Sequence, residues 1–341
     1  MLAALTYAKG QVELAEVPDP QPGQGEILLE VGAVGLCGGD MHIYHGEHPY
    51  AKYPVVQGHE FCGKVVSFGP GYEGPFMTGE VVAVEPLLPC GHCFACKRGH
   101  PNCCADLKVM GAHVGGALAE RVAVRARACY PVGTLSAELA ALVEPVSIGL
   151  QAVARSVAAS GDQVLVLGAG PIGQAVTICA VDRGADVMVV DRLPKRLKLA
   201  ELLGATRTAD AGMTELSAEV SDWSGGDGPA VVVDATGVPQ LIRQGVDLVA
   251  PSGTVVIVGI SPHEVPLSVL DFTRKELNIL GSRNSAGLFG AAVDVVQRYA
   301  EQLSHLVTHR FKFAETPAAM QFLHEHPDDA EKVQVLIGAP W

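Results

Sequence analysis

The sequence predicts an α/β chain in two parts, a β-rich region and a doubly wound parallel sheet. Three observations predict it. Residues 1 to about 125 carry short apolar runs split by Gly and Pro, the pattern of strands and turns. From Asp162 onward, short apolar runs alternate with helical stretches, the order of βαβ units. A length of 341 residues, 48% of them hydrophobic, suffices for two packed cores.

The totals bound the partners. The chain has 24 Lys plus Arg against 37 Asp plus Glu, a net charge of −13. That balance opposes a nucleic-acid or anionic-membrane partner, which needs a basic face. It leaves room for a small anionic substrate, because one arginine can bind a carboxylate locally. The first residues, Met1 to Lys9, have no basic start and soon turn polar at Gln11 and Glu13, so no secretory signal is expected. No apolar run is expected to approach the roughly 20 residues that span a bilayer. Nine cysteines without a signal point to metal ligands and buried thiols in a cytoplasmic chain.

In the first part, residues 26–34, 63–67, 80–85 and 117–124 are strand candidates, and 18–23 is an extended loop. Among them lie Gly35-Leu36-Cys37-Gly38-Gly39-Asp40-Met41-His42 and Gly58-His59-Glu60. With Glu144 further on, a thiol, an imidazole and two carboxyls can hold one divalent metal. Zinc takes sulfur, nitrogen and oxygen ligands and keeps one position open in catalytic centres.

Cys90, Cys93 and Cys96, then Cys104, can wrap a second, tetrahedral zinc. Cys103 competes with Cys104 in the doublet, but Cys104 fits the regular spacing. The competing reading is a loop with free thiols. His92 and His100 read as solvated loop residues. Cys62, Cys129 and Cys179 read as small buried residues.

Residues 136–143 and 146–158 read as helices, broken or kinked at Glu144-Pro145. A break there can aim the Glu144 carboxylate into a cleft; the plainer reading is a helix-end surface charge.

The stretch 163–167 is a short buried strand, followed by Gly168-Ala169-Gly170-Pro171-Ile172-Gly173 and a helix to Arg183. A second strand, 186–190, ends at Asp191. This is the strand, glycine turn, helix, strand, acid order of a dinucleotide-binding unit. Gly168 allows the tight turn, Gly170 lets backbone approach the pyrophosphate, and Gly173 lets the helix pack on the sheet. Pro171 and Ile172 open the helix that faces the phosphates. Asp191 would hold the ribose hydroxyls and repel a 2′-phosphate, which favours NAD over NADP. Arg192, Lys195 and Arg196 lie close by; an arginine can cover a 2′-phosphate, and the alternative for Arg192 is adenine stacking or surface charge.

The alternation continues through strand 230–234, helix 239–249, strand 254–258 and strand 279–281, toward a six-stranded sheet. Thr236 and Gly237, then Val258 and Gly259, follow strands, where backbone groups would line the cofactor crevice. The last stretch, about 286 to 341, reads as helical to Glu301, then strand-like at 307–313 and 333–337, returning to pack on the first part.

These motifs in this order resemble the zinc-dependent medium-chain dehydrogenase/reductase superfamily over essentially the whole length. Glu144 in a Glu-Pro pair resembles its polyol and threonine dehydrogenase branch. Four further stretches look like bacterial sugar-acid 5-dehydrogenases acting on L-galactonate or L-gulonate. They are Pro101-Asn102-Cys103-Cys104, Val109-Met110-Gly111-Ala112-His113-Val114-Gly115-Gly116, Gly281-Ser282-Arg283-Asn284 and Val307-Thr308-His309-Arg310.

The resemblance implies a GroES-like catalytic domain, 1–148 with 286–341, carrying a structural zinc loop at about 86–108. A Rossmann NAD-binding domain would occupy 149–285, with the active site between the two. It implies NAD, two zincs, a small-molecule substrate and a homo-dimer or homo-tetramer. Catalytic zinc would be held by Cys37, His59 and a carboxylate, with Glu60 and Glu144 both candidates. Asp40 would fix the His59 tautomer. Relatives often start a proton relay with a Ser or Thr two residues after the zinc cysteine. Here that position is Gly39, leaving His42, a water or Glu144 to carry the proton. Arg283, with Asn284 and His113, would bind a sugar-acid substrate, and Ser282 the cofactor.

The activity expected is oxidation of a sugar-acid C5 hydroxyl with hydride transfer to NAD. A polyol or L-threonine dehydrogenase is the alternative enzyme, and a catalytically silent nucleotide-binding relative the alternative from another class. The silent relative would have lost zinc ligands or a broken fingerprint, and neither is seen.

Overall fold

The computed structural model describes residues 1–212 and 216–338, so the last three residues of the expected C-terminal segment lie outside the described residues. The chain divides into two compact units, Met1–Glu144 with Phe289–Trp341, and Pro145–Leu288.

The first unit is built on a largely antiparallel sheet. Its central strand, Glu26–Leu36, pairs with Glu60–Phe68 on one side and Lys332–Leu336 on the other. Val81–Val84 and Cys129–Pro131 extend one flank, Val307–Lys312 the other, and Arg121–Arg125 pairs with the start of the central strand. The central strand places Ile27, Leu29, Val31, Val34 and Leu36 in one buried core cluster, the register shift between Val31 and Ala33 moving the alternation by one residue. It ends at Leu36, and the chain turns straight into the helix Gly38–Tyr44.

Of the expected strand 117–124, only Arg121–Arg125 forms a ladder. The four residues before it are held by single contacts, such as the bridge from Ala119 to Ala3. Gly58 lies against this segment with φ +92°, and a Cβ there would come within 2.7 Å of Val34. Only glycine fits that backbone, so it fixes how the chain enters His59.

The two helices expected around Glu144-Pro145 are Ala137–Ala140 and Val143–Ser156. The interruption lies at Ala141 and Leu142, and Pro145 belongs to the first turn of the second helix. Proline there removes only an N–H that has no intrahelical partner, so it does not break the helix. The combined stretch Ala137–Ser156 is also long and apolar enough to cross a membrane by length and composition, which corrects the expectation that no such run exists. It serves here as interior packing, since 67% of its apolar window is buried.

The second unit is a six-stranded parallel sheet. Its order is Arg207–Asp210, Asp186–Asp191, Gln163–Leu167, Val231–Asp234, Thr254–Ile257 and Asn278–Gly281. Val164 to Leu167, Val187 to Val190 and Val231 to Val233 are buried because helices cover a parallel sheet on both faces. The edge strand Arg207–Asp210 was not named from sequence; its Arg-Thr-Ala-Asp run has no apolar signature, and backbone pairing with Asp186–Asp191 makes it a strand.

Candidate active site

The end of the central strand concentrates the chemistry of the first unit. Cys37 caps the helix Gly38–Tyr44: its Sγ accepts from the Gly39 N–H at 3.1 Å, and the Asp40 carboxylate accepts from the Cys37 N–H at 3.0 Å. Asp40 is fully buried and also accepts from the Gly58 N–H at 3.2 Å and the Gln57 amide at 3.3 Å. Gln57 in turn accepts from the Thr6 hydroxyl at 2.6 Å. Asp40 thus pins the cysteine and histidine segments together.

His59 presents Nε2 to the Cys37 Sγ at 3.0 Å, while its Nδ1 lies 3.8 Å from the Asp40 carboxylate. The donor atoms of Cys37, Asp40 and His59 all fall within 4.8 Å of one another. Burial pushes the Cys37 thiol up, against the opposing pull of His59. Burial would pull His59 down, but Cys37 and Asp40 hold it well above its ordinary value. A thiol and an imidazole nitrogen facing one point, with a carboxylate behind the imidazole, suit a zinc ion.

The two carboxyl candidates separate here. Glu60 is not in the cluster: both its oxygens take the Lys332 ammonium, at 2.7 and 2.8 Å, in a pair only 2% exposed on each side. Burial would lower the Lys332 pKa, but Glu60, Cys37 and Glu144 outweigh it and raise it. Glu144, also outside the 4.8 Å group, is 7% exposed in the first turn of its helix. Burial pushes its pKa up to about 7, with His59 pulling against that rise.

Lys332 was missed from sequence. The available signal was a lysine opening an apolar strand, Lys332–Leu336, since a buried lysine needs an anionic partner.

His42 is largely exposed, 3.5 Å from the Glu47 carboxylate. A Cβ on Gly39 would lie 3.3 Å from the Cys37 sulfur and 3.6 Å from the His59 ring, so a side chain here would face the same point. His113 stacks on Tyr50 at 5.1 Å, and His48 meets both rings edge-on at 6.1 Å. His48 and Tyr50 were not singled out from sequence.

In the cysteine loop, the sulfurs of Cys90, Cys93, Cys96 and Cys104 lie within 4.8 Å of one another. The ribbon of Leu87–Leu88 with Lys108–Val109 closes the base of the loop. Cys104 is buried and its sulfur accepts from the Cys90 N–H at 3.2 Å, whereas Cys103 is exposed. Backbone N–H donors at Cys96 and Ala105 pull Cys93 down to about 6. Four converging sulfurs fit a closed tetrahedral zinc. His92 and His100 are exposed.

In the second unit, the strand Gln163–Leu167 runs into Gly168 at φ +93°, and the helix Pro171–Asp182 begins after Gly170. A Cβ on Gly173 would lie 1.8 Å from the Gly168 carbonyl, so the helix start packs against the turn without a side chain between. Asp191 is buried; it accepts from the Ala169 N–H at 2.7 Å and the Leu193 N–H at 2.9 Å, which ties the acid to the turn. Arg192 is exposed and Arg196 half-buried. Asp234 organises the next loop, accepting from Thr236 and the Gly237 N–H, while Val258 and Gly259 donate to its carbonyl. Beyond Asn278–Gly281, Ser282 donates to the Ile257 carbonyl, Arg283 is exposed, and Asn284 holds a positive φ of 46°.

Comparison with known proteins matches this layout. Residues 23–134 match the model of the alcohol dehydrogenase GroES-like domain, and residues 171–301 that of the zinc-binding dehydrogenase. L-galactonate-5-dehydrogenase of Escherichia coli K12 is 36% identical over 296 residues, 86% of this chain and 87% of the relative. Among solved structures, RspB of Escherichia coli CFT073, described as a short chain alcohol dehydrogenase complexed with NADH, is 32% identical with a TM-score of 0.90, covering 98% and 99% of the two chains. A putative zinc-binding dehydrogenase of Sinorhizobium meliloti, bound to NADP, is 31% identical with a TM-score of 0.92, covering 98% of each.

Proposed function

We propose that this chain, which belongs to the zinc-type alcohol dehydrogenase family, oxidises a secondary hydroxyl of a sugar acid, of the L-galactonate or L-gulonate type at C5, with NAD. Family membership makes it an enzyme, a nicotinamide-dependent zinc alcohol or polyol dehydrogenase. The observation carrying the reading of the site is the convergence of Cys37, His59 and Asp40. Glu144 lies near enough for its charge to act on His59.

Cys37, His59 and Glu144 would hold the catalytic zinc, and Cys90, Cys93, Cys96 and Cys104 a structural one. When bound, catalytic zinc supplies Lewis acidity toward the hydroxyl being oxidised. The Asp40 charge, 3.8 Å from Nδ1, favours the His59 proton on that nitrogen, so that Nε2 offers its lone pair. The reaction removes a hydride from the carbinol carbon and a proton from its hydroxyl. Moving that proton falls to side chains of this chain. With no hydroxyl at Gly39, it passes by way of Glu144 or a water to His42 at the surface.

Arg283 is read as the partner of the substrate carboxylate, its guanidinium offering a two-pronged donor set. Asn284 and His113 would add polar contacts. NAD is preferred because the Asp191 carboxylate would repel a 2′-phosphate, and the fingerprint backbone with Thr236, Gly237, Val258, Gly259 and Ser282 would line its crevice. A homo-dimer or homo-tetramer is expected; the exposed Ile260, Val269 and Leu270 favour an apolar contact. Nine free thiols favour the reducing cytoplasm.

Initial rates of NAD reduction across L-galactonate, L-gulonate, D-idonate, sorbitol, galactitol and L-threonine test this reading, with NADP and Arg283→Ala as controls. Turnover on one aldonate, with the variant losing affinity chiefly for the acid, is expected. Turnover on neutral polyols or threonine alone would show a polyol or threonine dehydrogenase instead.

A further inference from the structure

The first unit holds a buried ammonium that the proton path above does not use. Lys332 opens the last strand of the sheet, and Glu60 opens the strand on the other side of Glu26–Leu36. Gly35 pairs with Glu60 across one ladder and with Gln334 across the other. A Cβ on Gly35 would lie 2.2 Å from a Glu60 oxygen. The missing side chain is therefore the space into which the Glu60 carboxylate folds. There both oxygens take Lys332, whose Nζ also lies 3.5 Å from the Leu36 carbonyl, one residue before Cys37.

We propose that Lys332 is a positioning residue for the metal centre: it holds Glu60 behind the central strand, away from the Cys37–His59 set. This rests on the zinc reading above. Three carboxyls, Asp40, Glu60 and Glu144, surround one thiol and one imidazole. Unless one is neutralised, they compete for the same cation. A buried ion pair commits its members strongly, because removing one partner leaves the other charge unpaired. The C-terminal strand thereby sets the metal's ligand choice from 272 residues away.

The test compares Lys332→Met, Lys332→Arg, Glu60→Gln and the double variant Glu60→Gln/Lys332→Met. Zinc per chain is counted, zinc affinity is measured by chelator competition, and cobalt(II) is substituted to read the ligand set from its visible spectrum. In Lys332→Met the freed Glu60 turns to the metal, so the cobalt spectrum changes and zinc binds about tenfold more tightly, the scale of effects from outer-shell partners. Lys332→Arg and the double variant keep the wild-type spectrum, and Glu60→Gln keeps both zincs.

An unchanged spectrum and affinity in Lys332→Met overturns the proposal, as does loss of a zinc in Glu60→Gln. If Lys332→Met does not fold, the double variant decides, since it buries no unpaired charge; a changed spectrum there overturns the proposal. A wild-type chain holding one zinc defeats the reading of the active centre itself. Two zincs with an unresponsive Lys332→Met defeat only the role of Lys332.

Discussion

Replacing Asp40 with alanine should loosen the active centre locally and by a large factor. The carboxylate accepts from the Cys37 and Gly58 backbone N–H groups at 3.0 and 3.2 Å, and from the Gln57 amide at 3.3 Å. The Gln57 amide keeps a second acceptor, the Asp40 carbonyl at 2.8 Å, so it loses little. The two backbone donors lose their acceptor in a site where Asp40 itself is 0% exposed. An enclosed, unsatisfied donor costs about 1–3 kcal/mol, so the pair costs about 4 kcal/mol. That is about three decades in an opening equilibrium. Native-state hydrogen exchange at the Cys37 and Gly58 amides, read on metal-free protein, checks it. Protection should fall about a thousandfold in Asp40→Ala. In Asp40→Asn, which keeps one acceptor oxygen, it should fall by about half as many decades. Exchange within tenfold of wild type in both variants would refute the reasoning that Asp40 ties the cysteine to the histidine.

Cys104→Ser should cost one zinc per chain and Cys103→Ser none, by elemental analysis, because only the Cys104 sulfur joins Cys90, Cys93 and Cys96; the opposite pattern would reassign the doublet. Asp191→Ala should raise the KM for NAD about 10- to 100-fold, the worth of a charged hydrogen bond, while leaving NADP turnover no worse; equal losses with both cofactors would show that Asp191 acts only by holding the turn. In metal-free protein, burial raises Glu144 from 4.5 to about 7, so the folded state gains a proton that the unfolded state lacks between those values. The sign is that stability is full below about pH 4.5 and falls by about 3 kcal/mol as pH rises through 7. Calorimetry at pH 5 and 7.5 should show a drop in Tm that Glu144→Gln reduces, the remainder coming from His59, whose value is also raised in the folded state; an equal drop in both proteins would place its origin elsewhere. Gly39→Ser should raise turnover severalfold by restoring a hydroxyl beside the Cys37 sulfur; no change would mean the proton does not use that route.

What the sequence by itself determined is what is local. The glycine turn after Gln163–Leu167 and the acid at the end of the next strand are legible because tight turns and helix starts depend on neighbouring residues. Cys90, Cys93, Cys96 and Cys104 are legible because a loop of that length can close on itself. The cysteine of one segment and the histidine of another could be paired as donor types, but not as a geometry.

Tertiary structure decided everything that rests on register between distant strands. Glu60 and Glu144 are equal candidates on paper; strand pairing delivers Lys332 to Glu60, and only then do they differ. The strand Arg207–Asp210 exists through its neighbour's backbone, and Pro145 sits in the opening turn of a helix because the interruption falls at Ala141 and Leu142. A residue's type and near neighbours are written in its own segment, but its long-range partner is set by how the sheet assembles. A buried charge takes its role from that partner.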